Sequence, residues 1–167
     1  MRRWRRLLGV VVALVVAGAW AAARDDNAPA APDGEVAVVR IVDGDTLVVT
    51  GGVRVRLIGI NTPESVDPRR PVECFGKEAA SALAGLVPPG TPVRLTYDVD
   101  RKDDFGRTLA YLYRQPDDLF VNAALLEQGF AHQATFPPNV AHVGEFAALA
   151  RQARAANAGL WGACPSQ

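Results

Sequence analysis

From residue 35 onward the chain consists of short runs rich in Val and Ile, separated by turn-forming dipeptides. The first three runs are VAVVRIV, TLVVT and VRVRLIGI, over residues 36–42, 46–50 and 53–60, with Asp-Gly and Gly-Gly between them. Such β-branched runs bounded by Gly and Asp are typical of strands joined by tight turns. With the two strands predicted further along the chain, the five strands exclude a helical bundle, and consecutive hairpins argue against a doubly wound parallel sheet.

Later segments add two strands and three helices. We predict strands over residues 92–99 and 108–114, and helices over residues 75–87, 121–129 and 140–157. The order β-β-β-α-β-β-α-α predicts an α+β fold that is mainly β, a five-stranded OB-fold β-barrel with three packed α-helices, over residues 35–164.

Two of these segments also predict which side chains face the core. In the third strand, Val53, Val55 and Leu57 are expected to face one way, and Arg54, Arg56 and Ile58 the other, because side chains alternate along a strand. In the third helix, apolar residues at helical spacing predict an inward stripe made of Val143, Phe146, Leu149, Ala150 and Ala153.

The N-terminus has the layout of an export signal. MRRWRR is basic, residues 7–23 are apolar throughout, and small-x-small cleavage sites lie within residues 19–23. The 17 apolar positions also reach the lower end of the span needed to cross a bilayer, so an uncleaved signal anchor is the alternative to a signal peptide. In either case residues 24–167 lie outside the cytoplasm. Residues 24–34 are rich in Ala, Pro and Asp, which predicts a disordered linker.

The charge balance depends on this N-terminal segment. The whole chain has 18 basic and 18 acidic residues, but residues 1–23 hold four arginines and no acid, so the remainder has a net charge of −4. Such a domain is a poor candidate for a clamp that holds nucleic acid by charge alone. An enzyme whose carboxylates hold a cation remains compatible with this charge.

Two cysteines, Cys74 and Cys164, both follow the signal. An even count in an exported chain favours a disulfide, and two unrelated thiols are the alternative. A metal site is disfavoured because no CxxC pair and no His stands at ligand spacing. A disulfide across this span would stabilise the fold by about 4–5 kcal/mol in the chain-entropy model.

Three polar segments follow or precede predicted strands, namely DGDT at residues 43–46, RLIGINTPE at residues 56–64 and DFGR at residues 104–107. Each segment taken alone is also typical of a turn or a helix start. Together they supply the parts needed for phosphodiester hydrolysis: hard oxygen ligands for Ca²⁺, a carboxylate base and two guanidinium groups. These parts are Asp45, Asn61 and the Thr62 carbonyl as ligands, Glu64 as base, and Arg56 and Arg107 as phosphate-binding forks.

With these motifs the chain resembles the thermonuclease family of staphylococcal-nuclease-like proteins, also called micrococcal nucleases. The matching blocks lie in the same order at residues 41–46 (IVDGDT), 56–64 (RLIGINTPE), 75–80 (FGKEAA), 104–113 (DFGRTLAYLY), 121–129 (VNAALLEQG) and 159–161 (GLW). The resemblance implies an OB-fold barrel with three helices and Ca²⁺-dependent cleavage of DNA and RNA.

The same resemblance implies a role for each matched position. Arg56, Glu64 and Arg107 fall on the catalytic trio of the family. Its glutamate activates water for in-line attack on phosphorus, its two arginines stabilise the charge, and cleavage leaves the phosphate on the 3′ side of the upstream sugar. The calcium ligands of the family fall on Asp45, Asn61 and Thr62.

Three positions depart from the family pattern. Asn61 stands where the family has a calcium-binding aspartate, which removes one negative charge and is expected to weaken metal affinity. Asp104 replaces a lysine on the substrate side. Of the base-stacking tyrosines, one is Ala134 and another is Phe136, while Phe105 retains a stacking face. Because one stacked base contributes about 1–3 kcal/mol, these changes are expected to alter single-strand affinity or preference.

We therefore expect an exported, monomeric, Ca²⁺-dependent nuclease that cleaves DNA and RNA, especially single strands, and that is membrane-bound only if residues 7–23 are retained. The alternatives are a non-catalytic OB-fold module that binds nucleic acid or protein, and a phosphodiesterase for nucleotides smaller than polymers. The presence of Arg56, Glu64 and Arg107 together favours an enzyme, because a binding module has no chemical need for all three. His132 and His142 match no ligand spacing and are expected to be core or surface histidines.

Overall fold

A computed structural model describes residues 34–69 and 71–164; the predicted signal and residues 24–33 of the predicted linker lie outside these ranges. Within this part of the chain no helix is long and apolar enough to cross a membrane. The elements in chain order are β1 (Glu35–Ile41), β2 (Thr46–Val49), β3 (Val53–Leu57), β4 (Ile60–Asn61), α1 (Gly76–Leu86), β5 (Pro92–Thr96), β6 (Thr108–Arg114), β7 (Leu119–Phe120), α2 (Val121–Glu127), β8 (His132–Gln133), α3 (Val143–Ala155) and α4 (Leu160–Ala163).

The strands β1, β2, β3, β5 and β6 form a closed barrel. Their order is β3-β2-β1-β5-β6, and a parallel pairing of β3 with β6 closes the sheet on itself. At this closure Arg56 lies opposite Leu109, two residues after Arg107. The predicted five-stranded barrel is confirmed, and its closure brings two of the three polar segments side by side.

The barrel interior is filled by the inward side chains of the alternating strands. In β3, Val53, Val55 and Leu57 are buried, as predicted, while Arg54 is exposed. Ile58 was predicted to face outward with the arginines, and this is wrong, because the side chain is 6% exposed. The strand ends at Leu57, so the alternation no longer applies, and the Ile58 N–H donates to the Ala110 carbonyl of β6 at 3.0 Å.

Gly59 makes the sharp turn after β3 possible. Its φ is +80°, and a Cβ at this position would lie 2.4 Å from the ring of Phe146 in α3. A side chain is therefore excluded both by the backbone conformation and by the packing of α3. After this turn β4 leaves the barrel and pairs with β8 in a separate two-stranded sheet.

The three predicted helices are present, and a short fourth helix, α4, follows them. Helix α2 packs against β6 and against both α1 and α3. In α3, Phe146 and Ala153 are buried as predicted, but Val143 is 40% exposed, so its place in the inward stripe is wrong. Val143 is the first residue of the helix, and the buried face begins one turn later, at Phe146.

Asn122 connects α2 to both strands at the barrel closure. Its side chain is fully buried; its Oδ1 accepts the Leu112 N–H of β6 at 3.0 Å, and its Nδ2 donates to the Ile58 carbonyl at 2.8 Å. A buried amide with both ends paired in this way fixes the helix against the sheet. The ends of β3 and β6 are thus held in place from the helical side.

A disulfide joins Cys74 to Cys164, as the sequence predicted, with the two Cα atoms 6.0 Å apart. It connects the residues just before α1 to the residue that follows α4. Next to it, the ring of Phe75 stacks on that of Phe130, with centroids 5.5 Å apart. The C-terminal end of the described chain is therefore attached to the start of the first helix.

Candidate active site

A polar cleft of about 180 Å³ lies beside the barrel closure, and all six residues predicted as catalytic or metal-binding line it. They come from different elements: the turn before β2, the strand β3, the end of β4 with the segment after it, and the residue that precedes β6. The full lining is Asp43, Asp45, Arg56, Asn61, Thr62, Pro63, Glu64 and Arg107.

Asp45 is a buried carboxylate that accepts three hydrogen bonds in the cleft. It is 6% exposed, and its Oδ2 accepts the Thr62 N–H at 2.8 Å and the Thr62 hydroxyl at 3.1 Å. Its Oδ1 accepts the Thr46 hydroxyl at 3.1 Å. The bonds between Asp45 and Thr62, which are 17 residues apart in the sequence, fix the first polar segment against the second.

The approach of these two segments requires a glycine at position 44. A Cβ on Gly44 would lie 2.7 Å from the Thr62 hydroxyl oxygen and 2.8 Å from the Cβ of Ala79 in α1. The Asp-Gly-Asp sequence that predicts a turn therefore also allows Thr62 and α1 to pack directly on it. This packing places the Asp45 carboxylate within reach of Thr62.

Arg56 is held between two of the predicted metal ligands. Its Nη1 lies 2.6 Å from Asp45 Oδ1, and its Nη2 donates to Asn61 Oδ1 at 3.0 Å. Nη1 is buried, and within the described part of the chain it has no partner with hydrogen-bond geometry, so its contact with Asp45 is an ion pair alone. The guanidinium lines the cleft, and its planar group is suited to phosphate oxygens.

Glu64 is held by the backbone that follows it. Its Oε1 accepts the N–H groups of Ser65, Val66 and Asp67 at 2.8, 2.7 and 3.0 Å. These bonds, that from Val66 foremost, lower the pKa of the Glu64 carboxyl, because they stabilise its ionised form. None of these three bonds uses Oε2. The side chain is therefore an ionised carboxylate with one oxygen anchored.

Asp103, which the sequence did not single out, positions Arg107. Its Oδ2 accepts the Arg107 Nε–H at 2.6 Å, and its Oδ1 accepts the backbone N–H groups of Phe105 and Arg107 at 3.0 and 2.9 Å. The guanidinium carbon of Arg107 also lies 5.5 Å from the centre of the Phe105 ring. An aspartate that opens a turn and binds the backbone beyond it is the signal that could have identified Asp103.

Asp43 lines the cleft but lies outside the predicted set of site residues. Its Oδ1 accepts the Asp45 N–H at 3.0 Å. Burial, and after it the negative charge of Asp45, raises the pKa of Asp43 to about 6. The cleft thus holds more negative charge than its protein surroundings stabilise, and a bound cation would relieve this excess.

The donor set of the cleft fits a hard divalent cation. Asp43, Asp45, Asn61 and the Thr62 carbonyl all offer oxygen, the ligand atom that Ca²⁺ prefers. Within the described residues no group of three or more His, Cys, Asp or Glu side chains forms a metal site. A calcium site here would accordingly need the amide of Asn61 and a backbone carbonyl besides the carboxylates.

A larger groove of about 570 Å³ adjoins the cleft and shares Arg56, Asn61 and Arg107 with it. Phe105 and Phe136, the two predicted substrate-binding residues, both line this groove and are 84% and 69% exposed. Exposed aromatic rings in a groove that Arg56 and Arg107 also line are suited to stacking on unpaired bases. Asp104, at the position of the family's lysine, lines the same groove.

Comparison with known proteins agrees with this geometry. Residues 54–163 match the family model described as Staphylococcal nuclease homologue. The thermonuclease of Staphylococcus intermedius is 44% identical over 105 residues, which are 61% of this chain and 61% of that protein. The thermonuclease of Staphylococcus hyicus is 34% identical over 127 residues, 74% of this chain and 73% of that protein.

A third relative comes from another genus. The SPbeta prophage-derived endonuclease YokF of Bacillus subtilis is 36% identical over 132 residues, which are 76% of this chain and 44% of that protein. The match therefore spans about three fifths of the length of the first relative and less than half of the third. The family model covers most of the described barrel and all of its helices, so the chain belongs to the staphylococcal nuclease homologue family.

Proposed function

We propose that this protein is a Ca²⁺-dependent endonuclease that hydrolyses phosphodiester bonds of DNA and RNA. A hydrolytic endonuclease is what the thermonuclease and endonuclease relatives indicate. The observation that carries the finer proposal is the single cleft in which Glu64, Arg56 and Arg107 meet a set of oxygen ligands. A non-catalytic binding module would not need a base and two phosphate-binding arginines in one cleft.

Glu64 acts as the general base. Its carboxylate is ionised, as a general base must be, and the three backbone bonds to Oε1 do not use Oε2, which can accept the proton of water. The water oxygen forms a bond to phosphorus as its proton passes to Glu64, the bond from phosphorus to the 5′ oxygen breaks, and the 5′ oxygen takes up a proton from solvent to leave as a hydroxyl, while Glu64 later returns its proton to solvent. The upstream sugar then carries the 3′ phosphate.

Arg56 and Arg107 stabilise the negative charge that accumulates on the phosphate oxygens in the transition state. Arg56 enters the cleft from β3 and is held there by Asp45 and Asn61. Arg107 is held through its Nε by Asp103, which fixes the guanidinium before substrate arrives. Positioning before binding matters because a charge that must reorganise during the reaction stabilises the transition state less.

Asp45, Asn61 and the Thr62 carbonyl would hold the calcium ion, with Asp43 beside them. When bound, the ion supplies electrophilic stabilisation of the phosphate. The pairing of Arg56 with Asp45 and Asn61 keeps the guanidinium next to these ligands, so that one phosphate could meet both charges.

Single-stranded substrates are proposed as the preferred class. Phe105 and Phe136 are exposed at the groove, where unpaired bases could stack on their rings. A duplex keeps its bases stacked on each other, so it cannot use these rings without opening. Bases of both DNA and RNA can stack on these rings, since every base has a face that stacks.

We propose that the protein acts as a monomer outside the cytoplasm. The support is the basic-then-apolar composition of residues 1–23 together with the disulfide between Cys74 and Cys164, a bond that persists in oxidising compartments. Attachment to a membrane would require that the apolar residues 7–23 be retained.

The test compares purified wild type with Glu64→Gln on single- and double-stranded DNA and RNA, in calcium or in chelator, followed by analysis of the end groups. We expect cleavage in calcium alone, 3′-phosphate ends, and a rate lower by about 10²–10⁴-fold in Glu64→Gln, since the amide keeps the shape and loses the proton acceptor. Glu78→Gln, an exposed change on α1, serves as the matched control.

Two results would contradict this function. Retention of more than half of the wild-type rate in Glu64→Gln would exclude Glu64 as the general base. Tight binding of the nucleic acids without cleavage, in either metal condition, would favour the non-catalytic binding module instead.

A further inference from the structure

Glu73 lies nine residues after Glu64 and forms two hydrogen bonds with its backbone, one in each direction. Glu73 Oε2 accepts the Glu64 N–H at 3.0 Å, and the Glu73 N–H donates to the Glu64 carbonyl at 2.8 Å. Both backbone polar groups of Glu64 are thus paired with the same residue. No role in the mechanism above required Glu73.

Glu73 is itself attached to a rigid part of the fold. Its carbonyl accepts the Gly76 N–H at 3.0 Å, at the first residue of α1. Gly76 packs so closely that a Cβ there would lie 2.6 Å from the Glu64 carbonyl oxygen. Cys74, the residue after Glu73, is tied to Cys164 by the disulfide. The start of α1 is therefore held in place, and the Glu64 backbone is bonded to this rigid segment.

The position of the Glu64 carboxylate in the cleft depends on this rigid segment at the start of α1. The hydrogen bonds that its side chain accepts come from Ser65, Val66 and Asp67, which follow it directly on the same segment. Such bonds set the orientation of the carboxylate relative to its own segment but not relative to the barrel. The segment is held before Glu64 by the bonds of Thr62 to Asp45 and of Arg56 to Asn61, and at Glu64 itself by the two backbone bonds to Glu73.

We propose that Glu73 is a positioning residue for catalysis: by binding the backbone of Glu64 it holds the general base at its working distance from the phosphate and the two arginines. The inference rests on the proposed function, because it assigns Glu73 a role in the reaction of the same cleft. A carboxylate oxygen is the part of Glu73 that the contact needs, so a glutamine can replace it and an alanine cannot.

The test measures kcat and KM for Glu73→Ala, Glu73→Gln and the exposed control Glu78→Ala, at saturating calcium and with kcat normalised to the folded fraction from circular dichroism. We expect Glu73→Ala to lower kcat by about 10- to 100-fold, since a displacement of about 1 Å in a reacting group costs up to that factor. KM is expected to stay within about twofold, because the groove does not involve Glu73. Glu73→Gln is expected to recover most of kcat, and Glu78→Ala to match wild type.

A double variant separates positioning from a general structural effect. If Glu73 acts through Glu64, adding Glu73→Ala to Glu64→Gln lowers the residual rate no further, whereas independent effects multiply. Unchanged kcat in Glu73→Ala, equal losses in Glu73→Ala and Glu73→Gln, or multiplying losses in the double variant would each overturn the inference. If Glu64→Gln is inactive while Glu73→Ala keeps its kcat, this inference alone fails; if Glu64→Gln is fully active, the proposed function fails and this inference with it.

Discussion

Asn61 stands at a predicted calcium-ligand position without a charge of its own. Its amide oxygen accepts a hydrogen bond from Arg56 at 3.0 Å, and the residue lines the cleft together with the other predicted ligands. An amide contributes an oxygen without a charge, while calcium affinity rises with the charge of the ligands as well as with their number. The predicted ligand set therefore has one carboxylate, Asp45, unless Asp43 is counted with it.

Asn61→Asp is expected to lower the calcium concentration needed for half-maximal cleavage by severalfold or more. The added carboxylate supplies the charge that the predicted ligand set lacks, and weak extracellular sites of this kind have affinities of about 10⁻⁴–10⁻³ M. A calcium titration of cleavage by both proteins measures the change.

The cleft also contains a competitor for that role. Asp43 lies beside Asp45, and if its charge already serves the ion, a further aspartate crowds like charges and gains nothing. Unchanged or weaker calcium dependence in Asn61→Asp would show that position 61 does not limit the charge of the site. A titration of Asp43→Asn in parallel then tests whether Asp43 supplies the charge.

The sequence indicated the residues that line the cleft better than the residues that hold them in place. Asp45, Glu64 and the two arginines lie in recognisable motifs, and all line the one cleft. Asp103 and Glu73 act by accepting backbone N–H groups of the turn or segment they close. Such contacts depend on the path of the backbone between the two residues, which residue types alone do not specify.

Among the elements, α2 stabilises the barrel through one buried amide. Asn122→Ala is expected to lower the free energy of unfolding by about 2–4 kcal/mol, because it leaves the Leu112 N–H and the Ile58 carbonyl buried without their partners. Urea unfolding measures the change, with Glu127→Ala, an exposed residue of the same helix, as control. Equal midpoints for Asn122→Ala and wild type would mean that these backbone groups find other partners.

Asp98 connects β6 to the segment before α3. Its Oδ2 accepts the Tyr111 hydroxyl and the Ala141 N–H, each at 2.9 Å. The Ala141 bond foremost, and the Tyr111 bond with it, lowers the pKa of Asp98 below its usual 3.8. The folded state therefore binds this proton less readily than the unfolded chain does.

A carboxyl with a lowered pKa stabilises the folded state above its unfolded pKa and loses this contribution as the pH falls through its folded value. The loss from Asp98 is accordingly expected below about pH 4, with the full contribution present at neutral pH. Asp98→Asn is expected to unfold more easily at pH 7 and to show a smaller decrease in stability on acidification than wild type. Denaturant unfolding from pH 7 to pH 2 tests this, with Glu78→Gln as control; parallel curves for wild type and Asp98→Asn would contradict it.

The elements that the sequence predicted are those with a strong repeating pattern. The five barrel strands and the three predicted helices each have four or more residues, long enough for a β-branched composition or an apolar pattern to show in the sequence. The short strands β4, β7 and β8 have two residues each, which is too few for a periodic pattern to be recognised in the sequence. They form because the fold brings β4 beside β8 and β7 beside β6. The end of β3 was misplaced for the same reason, since Ile58 continues the apolar run while Gly59 turns the chain away.

For the whole molecule, the disulfide is the longest covalent constraint, since Cys74 and Cys164 are 90 positions apart. Reduction is expected to lower the melting temperature, because it removes up to about 4–5 kcal/mol from the free energy of unfolding in the chain-entropy model. Cleavage is expected to persist below the new melting temperature, since neither cysteine lines the cleft. Calorimetry with and without reductant, and intact mass of protein from an oxidising compartment, measure both forms; two freely alkylated thiols in such protein would refute the pairing.

Whole-molecule topology was predictable because the strand order and the helix positions leave few ways to bury the apolar runs. The parallel pairing of β3 with β6, by contrast, joins strands on either side of α1 and β5, and no local pattern specifies it. The site depends on that pairing, since it brings Arg56 and Arg107 to the same cleft. The motifs could therefore be recognised in the sequence, but their arrangement in one cleft followed only from the closed barrel.

The link between Cys74 and Cys164 also turns more than half of the chain into a covalent ring that includes β5, β6, α2 and α3. A ring does not come apart when it is cut once. Proteolytic cleavage of one peptide bond in an exposed turn, such as that at Phe105 and Gly106, would leave a single molecule whose two new ends remain tied to the same barrel. A nicked protein would be heavier than the intact protein by one water and would run as one species without reductant. It would separate into fragments only when both the backbone and the disulfide are broken.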